Sequence, residues 1–230
     1  ASPLGTPAGR IRVRSLRGAN EKKPWKDVEA LQGVVESEFV RPVVTSDCLL
    51  PFRLTKLPTA VLPLVRDQLL AEHGEIDGYP GLSQWWANAS ATWNSLRASA
   101  RLDLLGQLDY MHKLSQQFPL PDLRVVYNKS GMHVVAAKLY SRTAVVENGL
   151  YWMVPASELE ADYICALLNS RTLTTAVQPL MSYGKDERDV AKHVWKLPIP
   201  EFDARNEVHL ELSQIGRDLS AVAAEFRIAP

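Results

Sequence analysis

Three runs of β-branched and aromatic residues between residues 124 and 154 constrain the fold of this chain more than any other feature. They are "RVVYN" (124–128), "HVVAAKLY" (133–140) and "LYWMV" (150–154), and "KSG" (129–131) has the composition of a tight turn between the first two. Short apolar runs separated by turn residues are typical of paired strands. We therefore predict a small, mainly antiparallel sheet.

Helical periodicity is clearest in three other segments. Apolar residues recur at spacings of three and four from residue 82 to residue 105, which predicts a long amphipathic helix. Ser157 and Glu160 form a capping box before the helix "ELEADYICALLNS". A heptad-like series near the end predicts an amphipathic helix that must pack on something; its members are Val208, Leu212, Ile215, Leu219, Val222 and Phe226.

Weaker patterns complete the secondary structure. Alternating apolar and arginine residues at 11–16 predict a strand, and the segments 34–40 and 60–73 are predicted to be helices. Helices and strands are intermixed, without internal repeats, so the expected fold class is α+β.

Composition limits how this chain could meet a polyanion. Its 230 residues carry 26 Lys and Arg against 26 Asp and Glu, a formal net charge of zero. The molecule as a whole therefore does not steer anions, and any nucleic-acid contact must come from local basic patches. Cys48 and Cys165 stand far apart beside apolar residues, which predicts two reduced core cysteines and suits a cytoplasmic protein.

The chain shows no signal peptide and no apolar run of the roughly 18 to 20 residues that a membrane span needs, so we expect a soluble, cytoplasmic protein with no membrane partner. The sequence begins without Met, and its first residues have the composition of a loop that precedes a strand, which suggests a fragment of a larger protein. We divide it into a basic N-terminal segment (1–30), a central domain (31–204) and the C-terminal amphipathic helix (205–230).

Catalytic motifs are missing from this sequence. It contains no Pro-Pro and no GxG, the five histidines lack HxH or HExxH spacing, and no nuclease-like carboxylate and lysine cluster or serine elbow is present. We therefore expect this chain alone to be no enzyme, with no catalytic residue, metal site or cofactor of its own.

Two stretches have side chains suited to a phosphate backbone and base edges. Residues 124–142 contain no acidic residue. The second stretch, 181–200, contains Gly184 and a mixture of charges. The candidate DNA-binding residues are Arg124, Asn128, Lys129, Ser130, Lys138, Arg142, Ser182, Tyr183, Lys185, Arg188, Lys192, His193 and Lys196. Composition also allows simpler interpretations, namely a sheet edge kept soluble by basic residues and a solvated loop whose charges pair with one another.

Three motifs in order carry a family resemblance: "YNKSGMHVVAAKLY", "YICALLNS" and "GKDERDVAKHVWKLPIPEFD". With them the chain, over about residues 30 to 215, resembles the C-terminal target-recognition region of class I adenine-N6 DNA methyltransferases of bacterial restriction-modification and phage-defence systems. The chain is also similar to TaqI-type recognition domains and type I specificity subunits. This likeness rests on a helix that ends in "LLNS", a glycine-containing loop, and the segment "LPIP" that follows the loop.

The resemblance implies a DNA-binding domain with a TaqI-C-like or specificity-domain-like fold. Double-stranded DNA would be one partner, and the catalytic methyltransferase domain of the parent protein, which would bind S-adenosylmethionine, the other. The resemblance does not identify the residues that read bases. Our first hypothesis is a DNA-binding module in which Lys and Arg side chains position the domain on the DNA backbone and base contacts come from Asn128, Ser182, Tyr183, Arg188 or His193.

An alternative hypothesis is a docking module, in which the C-terminal helix and the tryptophan-rich helix bind the catalytic domain or another subunit. The first hypothesis expects Lys129, Arg142, Lys185 and Arg188 to converge on one concave face. The second expects an exposed apolar stripe on a helix, and the two are compatible. An autonomous enzyme would need a catalytic constellation that this sequence lacks.

Overall fold

The computed structural model describes residues 8–16, 18, 21–70, 72–181 and 190–227, without the side chains of residues 73, 191 and 192. The fold is α+β, as predicted, with small and mainly antiparallel sheets. The strands are β1 (Arg10–Arg14), β2 (Gln32–Glu36), β3 (Val40–Val44), β4 (Leu49–Leu50), β5 (Arg53–Leu54), β6 (Thr59–Val61), β7 (Leu64–Val65), β8 (Gln68–Leu69), β9 (Leu123–Asn128), β10 (Ala136–Tyr140), β11 (Val145–Val146) and β12 (Leu150–Met153). The α-helices are α1 (His73–Ile76), α2 (Pro80–Leu96), α3 (Leu104–Leu108), α4 (Glu158–Leu168), α5 (Arg171–Val177), α6 (Ala191–Val194) and α7 (Glu207–Glu225).

The chain forms two compact units. The first comprises Ala1–Arg41 and Thr59–Pro119, and the second comprises Pro42–Pro58 and Leu120–Pro230. The boundaries of the two units differ from those of the three predicted segments. The second unit includes the β4–β5 hairpin, which comes from the first third of the sequence. None of the helices among the described residues has the length and hydrophobicity that crossing a membrane requires.

The predicted three-stranded sheet is the centre of the second unit. Its order is β10–β9–β12 and both pairings are antiparallel, with Tyr127 opposite Ala136 and Tyr151. Side chains alternate along β9, so that Val125 and Tyr127 belong to one core cluster and Val126 belongs to another on the opposite face. Helices α4 and α5 cover the first face. Because a core cluster lies on each face, Val125 and Val126 in the middle of β9 are both apolar and fully buried.

Helix α4 begins at the predicted cap and packs along α7. The Ser157 hydroxyl accepts a hydrogen bond from the Glu160 amide at 3.1 Å, as in a capping box. The two helices approach so closely at Gly216 that a Cβ there would lie 2.1 Å from the Asp162 carbonyl oxygen. The Ser213 hydroxyl donates to the Leu159 carbonyl oxygen at 2.8 Å across the same contact.

In the first unit, a carboxylate from β2 fixes the start of α2. Glu36 accepts hydrogen bonds from the amides of Gly81 at 3.0 Å and Leu82 at 2.9 Å, and it pairs with Arg10 at 3.0 Å. Burial acts to raise the pKa of Glu36, but the backbone hydrogen bonds and Arg10 outweigh it, so the net pKa is lowered. Leu82 and Trp86 then enter the core of this unit.

Two predicted helices are wrong. Residues 34–40 lie in β2, one three-residue 3₁₀ turn and the start of β3, because Val34 and Val35 pair with β1. In the predicted helix at 60–73, residues 60–69 instead contain the end of β6, then β7 and β8. Pro63 precludes a continuous helix, and positive φ angles at residues 66 and 67 turn the chain between β7 and β8.

The long tryptophan-rich helix is shorter than predicted. It ends at Leu96 rather than near residue 105, because Arg97 has an extended backbone. The Arg97 guanidinium and the Trp93 indole both donate to the Leu102 carbonyl oxygen, at 2.8 and 3.2 Å, and hold the chain that turns back after the helix. Both cysteines are free and buried, as predicted, and burial raises the pKa of Cys165 to about 12.

Candidate nucleic-acid interface

The turn after β9 is built by the side chain of Asn128. Its Nδ2 donates to the carbonyl oxygens of Ser130 at 3.0 Å and His133 at 2.8 Å, while its Oδ1 accepts from the Val135 amide at 2.8 Å. Its amide group is therefore occupied within the turn. Asn128 shapes the surface at this end of the sheet, and a base contact by its side chain would require the turn to open.

Lys129 and Ser130 line an open cleft of about 460 Å³ at the same end of the sheet. Ser46 and Gly149 also line the cleft, and the Lys129 amide donates to the Gly149 carbonyl oxygen at 3.3 Å. Lys129 has no ion-pair partner within the described part of the chain, so its ammonium group is available to an anionic ligand.

Arg124 occupies a different environment from the one predicted. Its side chain is fully buried, and its Nη2 donates to the carbonyl oxygens of Ser141 at 3.0 Å and Ala144 at 2.6 Å. Burial lowers its pKa to about 10. In this structure Arg124 organises the loop after β10 and presents no surface to DNA.

Lys138 is likewise withdrawn from the surface. Its ammonium group forms an ion pair with Asp162, a carboxylate without solvent exposure, and lies 3.6 Å from Glu158. Burial acts to lower the pKa of Lys138, but its contacts with Asp162 and Tyr140 outweigh burial and raise it. Arg217 of α7 reaches the other Asp162 oxygen at 3.4 Å, so Lys138 serves the α4–α7 contact rather than a phosphate.

Arg142 is exposed but paired. Its guanidinium makes a two-pronged contact with the carboxylate of Asp122, and 76% of the Arg142 side chain is accessible to solvent. A phosphate would have to compete with that carboxylate. Of the four cations predicted to converge, Lys185 and Arg188 lie outside the described residues.

The second stretch is described at its two ends. Ser182, Tyr183, Lys185 and Arg188 lie outside the described residues, as does the Lys192 side chain. The flanking residues Met181 and Val190 are both buried in the core cluster that contains Tyr127. His193 and Lys196 follow, with Lys196 Nζ 3.4 Å from His193 Nδ1 and the Lys196 side chain exposed.

Three aromatic rings lie where the two stretches meet, and we call them the aromatic face: Tyr127, Tyr151 and Trp195. The Trp195 indole N–H donates to the Tyr127 hydroxyl at 3.0 Å, and the two rings meet edge to face with centroids 5.9 Å apart. Tyr151 stacks on the other side of Tyr127 at 5.8 Å. Tyr127 is buried, which raises its pKa, whereas Tyr151 and Trp195 are 38% and 46% exposed.

Tyr151 and Trp195 were not among the predicted contact residues. A signal for Tyr151 was present, because antiparallel pairing of "RVVYN" with "LYWMV" can place two tyrosines opposite each other on one face. No local pattern marks Trp195, whose position depends on the packing of α6 against the sheet.

The three motifs that carry the family resemblance are joined pairwise by hydrogen bonds. Asn169 of "YICALLNS" bonds both backbone groups of Ala136 in the first motif, at 2.9 and 2.8 Å. The Tyr163 hydroxyl donates to the Pro200 carbonyl oxygen in the third motif at 2.9 Å. The hydrogen bond between Trp195 and Tyr127 joins the third motif to the first.

Within the described residues, no three His, Cys, Asp or Glu side chains come together as metal ligands would. No protein-family model and no curated protein matches this chain.

Proposed function

We propose that this chain is the DNA target-recognition module of a larger adenine-N6 DNA methyltransferase, and that the aromatic face and its basic neighbours contact double-stranded DNA. The observation that carries the proposal is the hydrogen bond between Trp195 and Tyr127. It brings together, across 67 intervening residues, the two stretches that the sequence marks as suited to DNA.

The chemistry of this surface fits a nucleic acid. Exposed aromatic rings can stack on bases or pack on sugars and thymine methyl groups, while Lys129, His193 and Lys196 can donate to phosphates. The hydroxyls of Tyr151 and Ser130 add hydrogen-bonding groups at the same end of the sheet. Met181 and Val190, which flank the undescribed residues 182–189, belong to the same core cluster as Tyr127.

The resemblance in the three motifs supports DNA over another polyanion, and it supports a TaqI-C-like or specificity-domain-like fold. In such a protein the methyl transfer from S-adenosylmethionine would occur in a separate catalytic domain, which would take the adenine out of the duplex. This chain would bind the duplex and provide the sequence preference, and it would need no cofactor of its own.

The neutral composition implies modest affinity. Among the described candidates, Arg124, Lys138 and Arg142 are engaged by neighbouring groups, which leaves Lys129, His193 and Lys196 to meet phosphates. We expect about two to four phosphate contacts, and thus a slope of log affinity against log salt of roughly −2 to −4.

The test is fluorescence anisotropy of the chain with a labelled random-sequence duplex at about 50 and about 200 mM salt. Replacing Lys129 and Lys196 together by Ala should weaken binding by about tenfold or more and reduce the salt slope by roughly 2. The matched control replaces Arg142 and Arg205, which are paired with Asp122 and Asp203. It removes the same charge and should change affinity less than about threefold. Equal losses in the two variants, or no binding at low salt, would contradict the proposal.

A further inference from the structure

Helix α7 has two unlike sides. The side toward α4 carries His209, Ser213 and Gly216, all buried, and their small or hydrogen-bonded side chains allow the close helix contact. The predicted heptad series lies largely on the other side. Its exposed members form what we call the α7 stripe: Val208, Ile215, Leu219, Val222 and Phe226.

The α7 stripe is unusually apolar for a solvent-facing surface. Val222 is 63% exposed, and four large apolar residues of the stripe lie along α7, while Phe226, at the C-terminal end of the helix, is 71% exposed. Isolated exposed apolar residues are common, but a continuous series at heptad spacing is typical of a helix with a partner. The series was expected to pack on the rest of the chain or on a partner. Within the chain Leu212 contacts a core cluster, whereas the residues of the α7 stripe are exposed.

The β4–β5 turn extends the stripe into a groove. Leu50, Pro51 and Phe52 face Leu219, Val222 and Phe226 around an almost wholly apolar space of about 340 Å³. Arg53 holds the two walls together, because its Nη1 donates to the carbonyl oxygens of Ala223 at 3.0 Å and Phe226 at 2.6 Å. The guanidinium thereby satisfies the end of α7 and keeps the groove formed in the absence of a ligand.

The charges beside the stripe identify the kind of helix that fits it. Glu211, Asp218 and Glu225 are spaced seven residues apart and form one edge of the stripe, and all three are exposed. The other edge, at positions 209, 216 and 223, carries His, Gly and Ala, with no acidic residue, Lys or Arg, and faces α4. A partner helix on the stripe would therefore meet carboxylates along one flank.

A second copy of this chain is a poor occupant. In an antiparallel pair of α7 helices the acidic edges would face each other, and like charges at such positions oppose pairing. In a parallel pair each acidic edge would face the edge that α4 already covers. A helix whose apolar seam is flanked by Lys or Arg avoids both problems and gains attraction to the carboxylates.

We propose that the α7 stripe and the β4–β5 turn form a docking site for a basic amphipathic helix of a partner protein. The site uses none of the residues of the aromatic face, so docking and DNA contact can coexist on one molecule. Association would bury the stripe, and the acidic edge would select the partner by charge.

Two synthetic peptides of about four heptads test this proposal with the full chain. Both have Leu and Ile at the seam positions; one has Lys at the flanking positions and the other has Glu. By fluorescence anisotropy, the Lys peptide should bind at least about tenfold more tightly than the Glu peptide, and added salt should reduce the difference. Val222→Lys, a change at an exposed position, should weaken binding of the Lys peptide by about tenfold.

The charge edge is tested by replacing Glu211 and Glu225 together with Gln. This variant should lose most of the preference for the Lys peptide, whereas replacing Glu201 and Glu207, which lie off the stripe edge, should keep it. Equal binding of both peptides, or binding of neither, overturns the proposal. So does stripe-dependent dimerisation of the chain in analytical ultracentrifugation, which would make a second copy the occupant. The DNA affinity of these variants reports separately on the proposed function.

Discussion

At the residue scale, Lys138 and Arg142 show why composition alone cannot identify a contact surface. The two cations are four residues apart in a stretch without acidic residues, and both were predicted to contact DNA. The acidic partners come from outside the stretch: Asp162 and Glu158 for Lys138, and Asp122 for Arg142. Lys138 is thereby internal to the fold, while Arg142 remains on its surface.

This difference predicts unequal costs of substitution. Lys138→Ala leaves the Asp162 carboxylate buried with only the partly exposed Arg217 as partner, so it should reduce the free energy of unfolding by about 3–5 kcal/mol. Arg142→Ala removes an exposed ion pair and should reduce it by less than about 1 kcal/mol. Urea titrations followed by circular dichroism measure both values. Similar small losses in the two variants would show that the Lys138 pair is not buried in solution.

At the element scale, the helices depend on contacts that local sequence patterns do not report. The first backbone amides of α2 donate hydrogen bonds to the carboxylate of Glu36, which lies in a strand far away in sequence. Helix α7 lies against α4 because Gly216 leaves room for a backbone carbonyl group. The periodic segment at 82–105 and the heptad series showed that helices exist, but not which face each one buries.

Gly216→Ala should destabilise the chain, although alanine is ordinarily the better helix former. The added methyl group would overlap the Asp162 carbonyl oxygen, so α7 or α4 must move, at a cost of about 1–3 kcal/mol or more. Gly74→Ala is the control, since a Cβ at that helical position meets nothing within 4 Å and should be neutral or stabilising by up to about 1 kcal/mol. Thermal unfolding compares the two, and a stabilising Gly216→Ala would mean that the helices are farther apart.

Glu36→Gln should weaken the first unit in a pH-dependent way. Because the pKa of Glu36 is lowered in the folded chain, its contribution is complete above the unfolded value of about 4.3 and is lost as the pH falls through the folded value. The difference in unfolding free energy between the wild type and the variant should be about 1–2 kcal/mol near neutral pH and shrink in acid. Glu38→Gln, at an exposed neighbouring position, is the control and should change the free energy of unfolding near neutral pH by less than about 0.5 kcal/mol. A pH-independent difference would contradict the capping role.

At the scale of the whole molecule, sequence patterns predicted the elements whose neighbours are close in the chain. The three-stranded sheet, the Ser157 cap and the buried cysteines depend on local alternation, turn residues or hydropathy, and each is present. The segment at 60–73 was mistaken for a helix because its apolar spacing is compatible with both a helix and strands. A two-residue turn at positions 66 and 67 pairs β7 with β8 and thereby favours strands.

The candidate site was predictable only in outline. The stretches 124–142 and 181–200 were identified from their side chains, but the burial of Arg124 and the meeting of Trp195 with Tyr127 depend on tertiary packing. The exposed α7 stripe was the feature expected of a docking module, and it shares no residue with the aromatic face. The molecule therefore offers two separate surfaces, and we assign a different partner to each.

Photo-crosslinking to a duplex that carries 5-iodouracil in place of thymine tests the central claim most directly, because this base couples preferentially to aromatic side chains in contact with it. After irradiation at low salt and proteolysis, mass spectrometry locates the attached nucleotides. We predict crosslinks at Tyr151 or Trp195, and their loss on competition with unlabelled duplex. Crosslinks confined to the first unit or to α7, with none on the aromatic face, would contradict the account.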